Sequence, residues 1–176
     1  MHNNKNRAES WIVAVATLFF SLAAPAAAQD AALAEPKGDI VLTIDGNIGV
    51  TNADGVANFD RAMLESIKTA KIRTNTPWFD DEVEFEGALL EELMNLVQAD
   101  GEEVVVTSLN DYQAPVPIAD FAKHGTILAY KRDGKYMPIS DKGPLFIVYP
   151  YDSSPELNTQ KYYSRSVWQV RRFTVR

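Results

Sequence analysis

Apolar and polar positions follow two rhythms along this chain, one of period two and one near 3.6 residues. Ile40-Val41-Leu42-Thr43-Ile44 is a β-rich run that meets the turn chemistry of Asp45-Gly46-Asn47, which predicts a strand. Phe59, Met63, Leu64 and Ile67 recur at helical spacing, with Asn58 as the expected cap and Asp60 in the first turn. Leu89, Leu90, Leu93, Met94 and Val97 form one apolar stripe while Glu91, Glu92 and Asn95 point away, which predicts a second helix. Val104 to Thr107 reads as a short buried strand, and Pro115 and Pro117 force an extended segment after it. Thr126 to Lys131 and Lys135 to Ile139 flank Asp133-Gly134, the strongest hairpin signal in the chain. Leu145 to Tyr149 is a further strand stopped by Pro150, and Val167 to Val175 is the last one. Two helices among about seven strands predict an α+β domain, mostly β, with mainly antiparallel pairing.

The N-terminus departs from this pattern. His2, Lys5 and Arg7 precede an apolar run from Trp11 to Phe20, and Ala26-Ala27-Ala28 precede Gln29. Basic, apolar and small residues in that order mark a cleavable export signal. The alternative is an uncleaved anchor, but the apolar run is shorter than the ~20 residues that a membrane span requires. The expected organisation is a signal peptide over 1–28, a flexible lead-in over 29–38 and one domain over 39–176. The expected location is periplasmic or secreted, with no stable membrane insertion after cleavage.

Composition narrows the chemistry. The formal net charge is −7, and removing Lys5, Arg7 and Glu9 with the signal leaves the chain acidic. An acidic surface argues against nucleic-acid partners, which require Lys/Arg patches. The chain has no cysteine, so disulfides, thiolate metal sites and Cys nucleophiles are excluded. It has two histidines, one of them within the signal, so a multi-His metal site within one chain is excluded as well.

The remaining polar clusters read mostly as surface. Asp80, Asp81, Glu82, Glu84 and Glu86 match no EF-hand spacing and read as a solvated turn before the second helix. Asp45-Gly46-Asn47 and Asn52-Ala53-Asp54-Gly55 read as turns. His124, beside Gly125, reads as a turn residue, and no nucleophile elbow or phosphate-binding glycine motif occurs. Aromatic residues next to polar ones in Thr74-Asn75-Thr76-Pro77-Trp78 and Asn110-Asp111-Tyr112 suit a small-ligand pocket, or rings that staple loops to the core.

Several of these segments together resemble the oxidoreductase molybdopterin-binding domain of the sulfite oxidase-like family. They are Thr74 to Trp78, Phe85 to Leu90, Asn110-Asp111-Tyr112 followed by Pro117 and Asp120, Lys131 to Gly134, Lys142 to Leu145, Tyr149-Pro150 and Ser166 to Val170. The resemblance covers about 39–176 and implies the single-domain, mostly β sulfite oxidase-type fold. It also implies molybdenum held by one cysteine thiolate, in a pattern like Arg-Cys-x-x-x-Trp. Here the matching stretch is Arg73 to Trp78, which puts Thr74 where the cysteine would stand. A threonine hydroxyl is a hard, barely acidic group and does not replace a soft thiolate. The resemblance further implies a twin-arginine signal for export with cofactor loaded, whereas this N-terminus reads Lys5-Asn6-Arg7.

The sequence therefore points first to a divergent, non-catalytic member that keeps the pocket for a small anionic ligand or an envelope sensor or other partner protein, with no cofactor expected. The alternative is a molybdopterin-dependent oxidoreductase with an atypical metal site, molybdopterin being the cofactor the resemblance implies. A ligand-free structural protein is the third reading. The expected pocket comprises Thr74, Thr76, Trp78, Asn110, Tyr112, Lys142 and Arg165. Lys142 and Arg165 would supply positive charge to it, unless both merely pair with neighbouring carboxylates.

Overall fold

Strand alternation sets the architecture. The computed structural model describes Met1 and residues 33–176, so the expected signal peptide and the start of the lead-in lie outside the described residues. The first strand, β1 (Ile40–Gly46), buries Leu42 and Ile44 and turns Thr43 and Asp45 to its other face, the period-two pattern of a sheet with one face in the core. β2 (Ala57–Asp60) returns antiparallel to it and runs directly into α1 (Arg61–Ser66). β3 (Thr69–Thr76) and β4 (Phe79–Leu89) form a long hairpin that leads into α2 (Leu90–Leu96). β5 (Glu103–Ser108) and β6 (Gln113–Pro117) form a second hairpin, followed by α3 (Ala119–His124). β7 (Ile127–Arg132), β8 (Lys135–Tyr136) and β9 (Phe146–Val148) follow, then α4 (Gln160–Arg165) and β10 (Val170–Val175).

These strands make two sheets. One runs β2-β1-β10-β5-β6, with β1 and β10 parallel. The other runs β3-β4-β7-β8, with β9 also on β7, and is antiparallel throughout. Side chains from both sheets enter one buried cluster, including Leu42, Phe59, Phe85, Val106, Leu128, Phe146 and Phe173. From residue 33 onward the chain is one α+β, mostly β domain, as the sequence implies. No described helix is long and apolar enough to cross a membrane.

Local differences have physical causes. Phe59 belongs to β2 rather than to a helix, and the cap of α1 is Asp60 rather than Asn58, because the Asp60 carboxylate accepts the Met63 N–H at 2.9 Å. Asp80 to Glu86 lie on strand β4, not on a turn. Val83 and Phe85 face the core, while Glu84 and Glu86 meet Lys71, Arg73 and Lys131 across the sheet, with Lys71–Glu84 and Lys131–Glu86 at 2.9 Å. Two strands approach too closely at Gly87 for any side chain: a Cβ there would lie 2.2 Å from the Leu128 carbonyl oxygen. The predicted hairpin turn is present, with Asp133 and Gly134 at φ 49° and 75°, the double positive φ of a type I′ turn. The lead-in residues from Leu33 to Gly38 form no helix or strand, but Lys37 and Gly38 donate their backbone N–H groups to Asp60 at 2.8 and 2.9 Å.

Candidate functional site

The β3–β4 turn consists of Pro77 and Trp78, and it places an indole at the hub of an aromatic cluster. Thr76 Oγ1 accepts the Trp78 N–H at 3.3 Å and fixes that turn. The Trp78 ring meets Phe146, Tyr151, Tyr163 and Trp168 at centroid distances of 5.4, 6.0, 5.7 and 5.7 Å, all edge to face. Lys142 follows a one-turn 3₁₀ segment and has the left-handed φ of 63°, which brings its Nζ over the Trp168 ring at 4.2 Å. Burial holds the Lys142 ammonium below its ordinary pKa, Asp141 pulls it back up and Arg132 lowers it further.

Beside this cluster lies a cleft of about 480 Å³, within the size range of small-ligand sites. Four segments wall it: the β3–β4 turn through Trp78, the β5–β6 loop through Ser108, Asn110 and Tyr112, α4 through Gln160, Tyr163 and Ser164, and the run from Ser166 to Trp168. Among the described residues no acidic, basic or histidine side chain lines it. The β5–β6 loop is held from both sides. Asn110 Oδ1 accepts the Ser108 hydroxyl at 2.5 Å and the Tyr112 N–H at 3.2 Å, while Arg171 donates to the Ser108 carbonyl at 3.0 Å and pairs with Asp111.

Of the residues expected in the pocket, Trp78, Asn110 and Tyr112 line the cleft, and Thr76 supports the turn that presents Trp78. Lys142 caps Trp168 rather than lining the cleft, and no carboxylate among the described residues pairs with it. Thr74 is fully buried away from the cleft. Its hydroxyl lies 3.2 Å from both Asp152 Oδ2 and the Asn75 carbonyl, and accepts the Asp152 N–H at 3.2 Å. Asp152 Oδ2 also accepts the Asn75 backbone and side-chain N–H groups at 2.6 and 3.0 Å, and the backbone bond foremost holds its carboxyl below the ordinary range. Arg165 turns inward, 2.6 Å from Asp120 Oδ2, which also accepts the Tyr149 hydroxyl at 3.0 Å. Burial, with Asp120 beside it, pushes the Tyr149 hydroxyl far above its usual pKa. Neither of the two cations expected in the pocket therefore lines the cleft.

Sequence reasoning missed the α4 wall. Gln160, Tyr163 and Ser164 sit on a six-residue helix with no apolar stripe of its own, and Trp168 lies in the irregular segment before β10. The paired rings Tyr162-Tyr163 were the available signal: Tyr162 is buried and Tyr163 is half-buried against the cleft.

Residues 59–153 match the family model described as the oxidoreductase molybdopterin binding domain. The matched span runs from β2 through Ser153 and includes Thr74, Trp78, Asn110, Tyr112 and Lys142; α4 and Trp168 lie beyond it. Comparison with curated proteins gave no match.

Proposed function

This chain belongs to the oxidoreductase molybdopterin-binding domain family, and from that premise we propose that it is an exported, non-catalytic member that uses its aromatic cleft to bind a small ligand. The observation that carries this reading is the state of Thr74. Its hydroxyl is fully buried and already engaged with Asp152 and Asn75, at the position where the resemblance puts the metal-binding cysteine. The metal ligand that the resemblance implies is a thiolate, which a threonine hydroxyl does not replace, and the chain has no cysteine to offer one elsewhere. Among the described residues no three His, Asp or Glu side chains converge to hold a metal instead. The donor set does not fit a thiolate-held molybdenum, so no redox step is assigned to these residues.

Binding is supported by what remains open. Tyr112 and Trp168 are 53% and 37% exposed at the rim of the cleft, a cost in apolar exposure that a ligand would relieve. Export rests on the order of basic, apolar and small residues over 1–28. The test is a turnover assay on protein produced in cells competent for molybdopterin synthesis, with sulfite as reductant in one arm and a sulfoxide as oxidant in the other. The expected result is no turnover above the blank in either. Turnover that scales with protein and follows it through purification overturns the reading.

A further inference from the structure

Within the binding reading of the cleft, on which this inference rests, we propose that the ligand is an uncharged carbohydrate. Charge is the first constraint. The chain carries a net −7, and among the described residues no ionic side chain lines the cleft, so no opposite charge there compensates the desolvation of an anionic ligand. Of the two cations nearby, Arg165 is bound to Asp120, while Lys142 does not line the cleft but covers the Trp168 ring, where its charge opposes a cationic ligand.

The second constraint is hydrogen bonding. Asn110 uses its oxygen internally, and its NH₂ donates to no described residue. The Gln160 amide, the Tyr112 hydroxyl and the Trp168 indole N–H likewise have no partner among the described residues. The cleft thus offers neutral donors with some acceptor capacity, matched by a ligand whose rim carries hydroxyls, which both give and receive.

The third constraint is ring geometry. The rings at the cleft meet at steep angles, Trp78 with Trp168 at 71° and Trp78 with Tyr163 at 72°, so these rings offer no parallel pair to sandwich a flat heterocycle. They form a corner rather than a slot. A puckered sugar ring, apolar on its C–H faces and hydroxylated on its edge, fits a corner of aromatic faces with amides at the rim. The α4 and Trp168 walls that complete this corner lie outside the family match, so the ligand class follows from residues particular to this part of the chain.

The experiment is calorimetric and tryptophan-fluorescence titration of the protein purified after expression of the full chain. The probes are chitobiose, cellobiose and maltose as neutral disaccharides, glucuronate as an anionic sugar, and caffeine as a flat neutral heterocycle. At least one disaccharide is expected to bind with a Kd of about 1 mM or tighter and to change the indole emission, with glucuronate and caffeine weaker by about tenfold or more. Gln160→Ala should weaken that binding by about tenfold with unchanged melting, since Gln160 is solvent-exposed, and Trp168→Ala should weaken it at least as much while lowering the melting temperature, since that ring also packs on Trp78 and Phe146. Tighter binding of glucuronate or caffeine, abolished by Trp168→Ala, overturns the carbohydrate class while supporting a ligand-binding cleft. Silence from every probe overturns the carbohydrate class and leaves the non-catalytic reading to the turnover assay.

Discussion

At the scale of single residues, Asp152 is the group that engages Thr74, where the resemblance puts the metal-binding cysteine. Its carboxylate oxygen takes the Asn75 backbone and side-chain N–H groups and faces the Thr74 hydroxyl, so three donors converge on one acceptor. These bonds hold its pKa below the ordinary carboxylate value in the folded protein. A lowered folded-state pKa means that the contribution to stability is whole above the unfolded value, near 4, and is lost as the pH falls through the folded value. Wild type and Asp152→Asn should therefore differ most in urea midpoint at neutral pH, and the gap should close below about pH 4. A gap that is constant from pH 7 to pH 3 contradicts the assignment. Asp152 was not legible as part of this site, because the contact joins residues 77 apart in sequence and no local pattern announces it. Thr74 was legible only by resemblance, since nothing in its own neighbourhood of polar residues marks it as fully buried.

At the scale of elements, α2 was the most readable. Of its predicted stripe, Leu90, Leu93, Met94 and the C-cap Val97 are buried as the spacing requires, whereas Leu89 is the half-buried last residue of β4, and Glu91 is exposed. Leu93 is 0% exposed, so Leu93→Ala should cost about 2–5 kcal/mol through lost burial and the cavity left behind. Denaturant unfolding checks it, and a loss under about 0.5 kcal/mol, the scale of surface substitutions, contradicts the packing. The β3–β4 hairpin was hidden by its own chemistry. Asn75, Pro77 and a run of carboxylates look like a loop, and only the Val83-Glu84-Phe85-Glu86 alternation betrays a strand whose charges pair across the sheet. The α1 boundary was misplaced because β2 enters the helix without a linker, so Phe59 falls by chance at helical spacing from Met63. α3 and α4 are six residues each, too short for a 3.6-residue period to register.

At the scale of the whole molecule, two sheets share one core, and the chain has no disulfide to support it, so burial and hydrogen bonding carry all of its stability. That arrangement brings the β3–β4 turn, the β5–β6 loop and α4 to one cleft, although their cleft residues are spread from Pro77 to Trp168. Fold class was legible because strand alternation is local, whereas the site was legible only in part, because its walls meet through topology. The proposed function holds that this fold has kept its cleft and lost its metal chemistry. The most direct measurement is the molybdenum-to-protein ratio, by elemental analysis of protein purified from its native compartment, across the fractions of a final sizing column. Molybdenum is expected at background, with no peak that follows the protein. Near-stoichiometric molybdenum co-eluting with the chain would contradict it.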